Sequence, residues 1–243
     1  MTSLQNSNNQ MRSGTLTITN SSENALSTLG NVKFSNSVNC AYLNQNDTII
    51  DDDFFGSALT PMWTTAINGN SSITMNINSP SAVKLFSGST TNSNCQLNFN
   101  YKETIDQINR NPIIEFKIKL DGFINNVLPS IFYIGVRNGT RLTVLNAGPY
   151  AIEWTLRSSL TTEVSTPLGV IIDAKWAYFK MEFIGGVVNI YHKSASTAVW
   201  NLKLANGAIS QVAPVQPTAV AWCLSNSAIN CQIDYFKVYY NRE

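Results

Sequence analysis

The chain has 243 residues, of which 44% are hydrophobic and 13% are charged, with a formal net charge of +1. This length and apolar content suffice for a sizeable core, whereas near-neutral charge without basic clusters argues against a nucleic-acid partner bound through bulk charge. No stretch reaches the roughly 18 apolar residues of a membrane span, and the start, MTSLQNSNNQMRSG, lacks the apolar core of a signal peptide. We therefore expect no membrane insertion and no secretion signal.

The first 49 residues form two regions that differ from the rest of the chain. Residues 1–12 are polar and aperiodic, so we interpret them as a flexible or partner-ordered arm. Residues 13–49 contain short alternating stretches around Leu16 and Val32, which predict two strands that bury little alone. Two interpretations stay open. The first is an assembly segment, which packs either against its own copies, as in a trimeric fibre, or against another virion component. The second is an extra edge hairpin of the main domain. The segment resembles β-rich modules of phage and giant-virus appendage proteins.

An acidic run from Asp51 to Asp53 opens the next region. We interpret this run as a solvated loop, with a hard cation such as Ca²⁺ as the alternative, because clustered carboxylates also bind such ions. Large apolar side chains, Phe54 and Trp63 among them, follow in the sequence FFGSALTPMW, and Pro61 there interrupts any helix.

The remainder of the chain consists of short stretches with strand-like alternation, separated by Asn, Gly, Ser and Pro. The predicted strands are SITMNI, SAVKLFSG, CQLNFNYK, PIIEFKIKLDG, SIFYIGVRNG, RLTVLNAG, AIEWTLRS, GVIID, AVWNLKL, TAVAWCLS and CQIDYFKVYY, together with one clear hairpin. Regular short strands without a convincing long helix predict an all-β fold, a two-sheet antiparallel sandwich or jelly roll over residues 50–243.

The clear hairpin runs from Trp176 to Lys193, WAYFKMEFIGGVVNIYHK. Apolar and polar residues alternate in both arms, which is typical of half-buried strands. Between the arms, Gly185 and Gly186 supply the positive φ angles that a tight hairpin turn requires. The face predicted to be buried consists of Phe179, Met181, Phe183, Val188 and Ile190.

Four of these stretches, in this order, resemble the concanavalin A-like lectin/glucanase sandwich, including laminin-G-like domains. They are DDFFGSALTPMW, IIEFKIKL, WAYFKMEFIGGVVNIYHKS and IDYFKVYY. The resemblance covers residues 50–243 and implies a concanavalin A-like jelly roll. Its functional implication is broad, because the superfamily holds lectins, glycosidases, interaction modules and viral attachment domains.

Catalytic patterns are weak in this sequence. Glycosidases of this fold place carboxylates at alternate positions of one strand, as in E-x-D-x-E, so that nucleophile and acid flank the sugar bond. Here Glu115, Glu153 and Glu182 each lie in a strand without such a partner. His192 is the single histidine, and its position in the hairpin favours a packing role over a catalytic one. We therefore expect a protein that is not an enzyme.

Cofactor patterns are equally weak. The cysteines lie too far apart for a paired zinc module, and we favour buried free thiols, although disulfides Cys223–Cys231 or Cys40–Cys95 stay open. Calcium-dependent lectins of the resembled superfamily use an Asp/Asn-rich loop, whose nearest analogues here, Asp121 and residues 125–126, match poorly. We therefore expect no metal and no other cofactor.

A binding surface is better supported by the sequence. Sugar recognition needs an aromatic ring to stack on the pyranose C–H groups and planar polar side chains to fix the hydroxyls. By alternation Tyr133 and Arg137 share one face of their strand, and Glu153 and Arg157 share one face of theirs. If the two strands are close, these four residues form a candidate ligand-binding patch. The alternative is a solvated sheet face with an ordinary Glu–Arg pair.

The sequence thus predicts a non-enzymatic virion surface protein: a fibre, spike or capsid decoration that displays a lectin-like domain for host glycan attachment. We expect its partners to be other virion proteins and copies of itself, as a homotrimer, with no nucleic acid. A carbohydrate-active enzyme or its carbohydrate-binding module is the first alternative, and a purely structural capsid protein is the second.

Overall fold

The computed structural model describes residues 47–76, 81–99, 105–106, 110–121, 130–136, 140–148, 151–158, 164–171, 174–209, 216–223 and 228–240. The predicted arm, residues 1–12, lies outside these ranges, as does nearly all of the predicted assembly segment, residues 13–49. Both therefore stay predictions. No helix that could cross a membrane occurs in the described ranges.

The described residues form fifteen β-strands and no helix. In chain order the strands are β1 (Asp47–Asp52), β2 (Trp63–Asn68), β3 (Ser72–Asn76), β4 (Ala82–Phe86), β5 (Asn94–Phe99), β6 (Pro112–Asp121), β7 (Ser130–Val136), β8 (Arg141–Gly148), β9 (Ala151–Ser158), β10 (Val164–Ile171), β11 (Ala177–Ile184), β12 (Val187–Lys193), β13 (Asn201–Ala208), β14 (Pro217–Cys223) and β15 (Asn230–Tyr240).

The strands form two antiparallel sheets. Sheet A has the order β13-β12-β11-β6-β15-β4-β3, with β1 also paired to β15, and sheet B has the order β10-β9-β8-β7-β14-β5-β2. Strand β15 is central to sheet A: β6 covers one side, while β4 and β1 share the other, at Asn230–Ile233 and Phe236–Tyr240 respectively. The described chain therefore folds as a two-sheet sandwich.

Alternation along the strands builds the core between the sheets. In β6, for example, Ile114, Phe116 and Ile118 are buried, while Glu115 and Lys117 between them are partly exposed. The predicted hairpin is confirmed: β11 and β12 pair from Tyr178–Lys193 to Ile184–Val187. Its turn glycines both have positive φ, 56° and 84°, as the two-residue turn requires. Its predicted buried face is fully buried.

The acidic run differs from its prediction as a solvated loop. Asp51 and Asp52 belong to β1, and Asp52 is buried. The Asp52 carboxylate accepts hydrogen bonds from Phe54 N at 2.7 Å, Thr60 Oγ1 at 2.9 Å and Trp63 Nε1 at 2.8 Å. Burial is tolerated because three donors replace the lost water.

A chain of aromatic contacts runs through the core from Trp63. Trp63 lies 5.8 Å from Phe99 of sheet B and 5.7 Å from Phe236 of sheet A, measured between ring centroids. We call the continuous series the aromatic spine; its members are Trp63, Phe236, Phe116, Phe179, Trp154 and Phe132. Since its rings come from both sheets, the spine holds the two sheets together.

The cysteines within the described ranges are buried and free. Neither disulfide that the sequence left open forms, because each would need Cys95 or Cys223, and both are free thiols, as is Cys231. Burial raises the pKa of the Cys95 thiol from 9.0 to about 12. Cys40 lies outside the described residues. His192 packs with its ring 5.1 Å from that of Phe179, in agreement with the predicted packing role.

The buried carboxylate gives a first prediction. Asp52→Asn replaces one acceptor oxygen by an NH₂ group, which must face at least one of the three donors. We expect a loss of about 1–3 kcal/mol in the free energy of unfolding, measured by urea denaturation. The control is Asp53→Asn, because Asp53 is exposed and, among the described residues, accepts only from Phe55 N, at 3.1 Å. Equal losses in the two variants would contradict a structural role for Asp52.

Candidate functional site

The outer face of sheet B, directed away from the core, carries the candidate site. The seven strands of sheet B contain three charged residues, Arg141, Glu153 and Arg157, all on the neighbouring strands β8 and β9. The rest of the sheet is uncharged. Charge on this sheet is therefore confined to one place.

The residues predicted from the sequence are distributed around that place. Tyr133 lies in β7 and Arg157 in β9, and one strand, β8, lies between them. The prediction required these two strands to be close. Arg137 lies outside the described residues. The Glu153 backbone pairs with Leu145 of β8 and with Ile171 of β10, which keeps this position in the same part of the sheet.

Arg141 joins the patch, although the sequence prediction omitted it. Its register partners are Gly135 in β7 and Arg157 in β9. Its guanidinium carbon lies 5.1 Å from the Tyr133 ring centroid, within the range of a cation–π contact. A signal existed in the sequence, because RLTVLNAG alternates Arg141 and Thr143 with the buried Leu142.

Gly135 allows β7 to approach β8 closely beside Arg141. Its φ is 144°, and a Cβ at this position would lie 2.8 Å from both the Arg141 Cα and the Thr140 carbonyl oxygen. Those are backbone atoms that cannot turn aside. A side chain at 135 would therefore push apart the strands that position Tyr133 and Arg141.

Small residues form the floor of the patch between these longer side chains. Thr143 and Thr155 are 1% and 2% exposed, and they pair in register with each other, with Tyr133 next in the same row. Thr218, 1% exposed, lies two strands from β8, in β14. In the described part of the chain Thr143 Oγ1 is buried without a hydrogen-bond partner. An unsatisfied buried hydroxyl is rare in folded proteins.

The outer face of sheet A is the natural comparison, because its charges are largely paired. Lys117 forms an ion pair with Asp234, and Lys237 Nζ lies 2.9 Å from Asp51 Oδ1. Tyr239 donates a hydrogen bond to Glu115 at 2.6 Å. The pKa of the Tyr239 hydroxyl is raised, mainly because the hydroxyl is partly buried and secondly because it donates this hydrogen bond to Glu115. Most of its charged groups are thus engaged within the sheet itself.

Hydrolysis of a glycosidic bond by retention needs two carboxylates about 5–5.5 Å apart. Glu153 is the single acidic residue in the described strands of sheet B. Glu115 and Glu182, on sheet A, accept hydrogen bonds from Tyr239 and Tyr191, the latter at 3.0 Å. The described strands of sheet B therefore do not contain such a pair.

The acidic run does not fit a Ca²⁺ ion. Its Asp52 oxygens are taken by three protein donors, Asp51 pairs with Lys237, and Asp53 accepts from its own turn. Asp121, the other candidate, lies 3.5 Å from Lys119 Nζ. In the described ranges no three His, Cys, Asp or Glu side chains converge as metal ligands would.

No family model matches the chain, and no curated protein matches it. Solved structures do resemble it. A β-1,3-glucanase from Mycobacterium marinum aligns with a TM-score of 0.54 and 12% identity over 79% of this chain and 98% of the other. The Ca²⁺-bound exoplasmic/lumenal domain of VIP36 aligns with a TM-score of 0.53 and 11% identity over 81% and 90%. A glycosyl hydrolase family 16 protein from Mycobacterium smegmatis aligns with a TM-score of 0.51 and 11% identity, over 79% of this chain and 100% of the other.

At this identity the likenesses establish the fold. The predicted all-β, two-sheet antiparallel jelly-roll sandwich of concanavalin A type is confirmed. The neighbours include proteins named as glucanases as well as the VIP36 domain, so the fold alone does not identify an activity.

The unsatisfied threonine gives a second prediction. Thr143→Val keeps the side-chain shape and removes the lone hydroxyl, so we expect the free energy of unfolding to stay constant or to rise by up to about 1 kcal/mol. The matched control is Thr218→Val, which should lower it by about 1 kcal/mol. Thr218 Oγ1 lies 2.8 Å from Asn98 Oδ1 and 3.2 Å from the Leu97 carbonyl oxygen, the acceptors of its hydroxyl. Equal destabilisation of both variants in urea would show that Thr143 has a partner.

Proposed function

We propose that this concanavalin A-like sandwich binds carbohydrate through the outer face of sheet B. The observation that carries the proposal is the cluster of Tyr133, Arg141 and Arg157 on a sheet whose described strands hold one other charged residue, Glu153. An aromatic ring offers a surface for the C–H face of a pyranose, and planar guanidinium groups donate to its hydroxyls. The buried Thr143 hydroxyl adds one more polar group to the floor.

The proposed setting is the surface of a virion, with the sandwich displayed on a fibre, spike or capsid decoration for attachment to a host glycan. What supports this setting is the sequence: a polar arm followed by a Thr-, Ser- and Asn-rich β segment that resembles viral appendage modules. We propose that this segment, residues 13–49, joins copies of the chain into a homotrimer.

A carbohydrate-active enzyme is the second candidate, because several structural neighbours are named glucanase or glycosyl hydrolase. The single acidic residue on the described strands of sheet B favours binding over hydrolysis. Release of reducing sugar from β-1,3-glucan by the purified chain, abolished by Glu153→Gln, would favour the enzyme instead.

Glycan binding is the third prediction. On a glycan array the full chain should bind, and Tyr133→Ala should lower the affinity for its best ligand about tenfold or more, because the stacking surface is lost. The matched control is Tyr191→Ala on sheet A, whose hydroxyl donates to Glu182 and whose loss should leave binding unchanged. An array without any signal would overturn the proposal and favour a purely structural capsid protein.

Assembly is the fourth prediction. Light scattering after size-exclusion chromatography should give three times the 26.8 kDa chain mass for the full protein. A variant that begins at residue 45, and so keeps all of β1, should be a monomer. Two monomers would remove the trimer from the proposal, and two trimers would place the contact in the sandwich instead of the segment.

A further inference from the structure

We propose that the carbohydrate site on the outer face of sheet B extends from Tyr133 to β5, where the side-chain amides of Gln96 and Asn98 bind a second sugar unit. This inference rests on the proposed function and deepens it in two ways. It narrows the ligand to an oligosaccharide that lies across β7, β14 and β5, and it assigns two further binding residues.

Strand β5 presents a row of side-chain amides. Its residues are buried at alternate positions, where they belong to the core, and the positions between them are partly exposed on the outer face of sheet B. Those positions hold Asn94, Gln96 and Asn98. A planar amide combines an NH₂ donor with a carbonyl acceptor, so it can satisfy a sugar hydroxyl, which both donates and accepts. The row therefore has the chemistry to bind a neutral sugar without any charge.

Backbone register places this row beside the candidate site. Gln96 pairs with Val220 of β14, and Val220 pairs in turn with Tyr133 of β7. Asn98 pairs with Thr218, one step further along the same strands. Neighbouring strands lie about 4.8 Å apart, so the backbones of β5 and β7 are roughly 10 Å apart. A ligand that spans this distance has more than one sugar ring.

The surface between the amides and the tyrosine ring is low. Val220 and Thr218 of β14 are 2% and 1% exposed, and Gly135, which pairs with Thr218, has no side chain. Longer, partly exposed side chains stand on either side, Gln96 in β5 and Tyr133 in β7. A short chain of sugars can therefore lie over β14 and reach both.

Hydrogen bonding in the row is incomplete, and this observation favours a ligand. The Thr218 hydroxyl donates to Asn98 Oδ1 at 2.8 Å, which directs the NH₂ group of Asn98 away from Thr218. Within the described ranges this NH₂ group has no acceptor, and the Gln96 side chain has no hydrogen-bond partner. Asn94, by contrast, donates to the Asn92 carbonyl oxygen at 3.1 Å. The two amides in register with the candidate site are thus those whose donors are available to a ligand.

The sheet holds these amides in place before a ligand arrives. Strand β5 pairs with β14 on one side and with β2 on the other, from Asn94 to Asn98 in both cases. The hydrogen bond from Thr218 also fixes the orientation of the Asn98 amide. A donor that is fixed in advance loses less conformational entropy on binding than a donor on a loop. The β5 amides are therefore suited to add affinity and to select the ligand.

The test uses the full chain on a glycan array that carries neutral sugars from the monosaccharide to the tetrasaccharide, followed by calorimetric titration with the strongest series. The variants are Gln96→Ala, which removes the amide, and Asn98→Asp, which replaces the NH₂ donor but keeps an acceptor for Thr218. The matched control is Gln232→Ala on the outer face of sheet A, where Gln232 Nε2 lies 3.5 Å from Asp121 Oδ2. Thermal unfolding checks that every variant is folded.

We expect the disaccharide and longer ligands to bind about tenfold or more tightly than the monosaccharide, because only they reach β5. Each β5 variant should lower the affinity for the longer ligands about tenfold and leave the affinity for the monosaccharide unchanged, while Gln232→Ala should change neither. Should Asn98→Asp fail to fold, Gln96→Ala decides, since the Gln96 side chain has no described partner to lose.

Three results would overturn the inference: equal affinity for the monosaccharide and the longer ligands, β5 variants that bind the longer ligands as tightly as the unaltered chain does, or an equal loss for the monosaccharide, which would show a structural effect. If Tyr133→Ala still weakens binding in any of these cases, the proposed function stands. Silence across the array would overturn both.

Discussion

The hydrogen bond from the Trp63 indole to the Asp52 carboxylate is the constraint from which the architecture is best understood. Asp52 closes β1 on sheet A, and Trp63 opens β2 on sheet B, so one 2.8 Å contact ties the two sheets together. The same carboxylate orders the loop between them by accepting from Phe54 N and Thr60. A buried charge is stable only with such donors, and the donors are fixed only while the charge is there. The Asp52 carboxylate and its donors therefore fix how the end of β1 in sheet A packs against the start of β2 in sheet B.

The aromatic spine connects Trp63, through a continuous series of ring contacts, to the strands of the candidate site. From Trp63 it passes through Phe236 and Phe116, on sheet A, and ends at Trp154 and Phe132 on sheet B. Those last two residues belong to β9 and β7, the strands that present Arg157 and Tyr133 on the opposite face. Each ring pair adds about 0.5–1.5 kcal/mol beyond its burial. The site is therefore positioned by tightly packed strands instead of by loops, which suits recognition of a ligand by a fixed geometry.

The fold was predictable from the sequence wherever a strand has one buried and one exposed face. The β11–β12 hairpin and β6 show this clearly, since their alternation matches their burial. Strands β1 and β2 were not predicted, for two physical reasons. In β2 only Trp63 is buried, so the sequence shows no alternation of apolar and polar residues. Strand β1 ends in two aspartates, which are more typical of a solvent-exposed loop than of a buried strand end. Nothing local in the sequence shows that a distant indole and threonine will satisfy Asp52.

The candidate site was predictable in part. Tyr133 and Arg157 could be assigned to one face from alternation, but their separation by β8 depends on strand order, which alternation does not encode. Arg141 became significant only through its register with Arg157. The unsatisfied state of Thr143 is also a property of three-dimensional packing. Residue type could thus be read from the sequence, while the spatial relation that gives those residues their chemistry could not.

The distribution of charge between the sheets bears on the choice between binding and hydrolysis. A retaining glycosidase needs two carboxylates in environments that separate their pKa values, one to attack and one to protonate. Sheet A has carboxylates on its strands, but Glu115, Glu182 and Asp234 accept hydrogen bonds from tyrosine or pair with lysine. The described strands of sheet B have a single one, Glu153. One carboxylate cannot fill both roles in this mechanism. The described strands of sheet B therefore do not supply the pair of carboxylates that this mechanism uses.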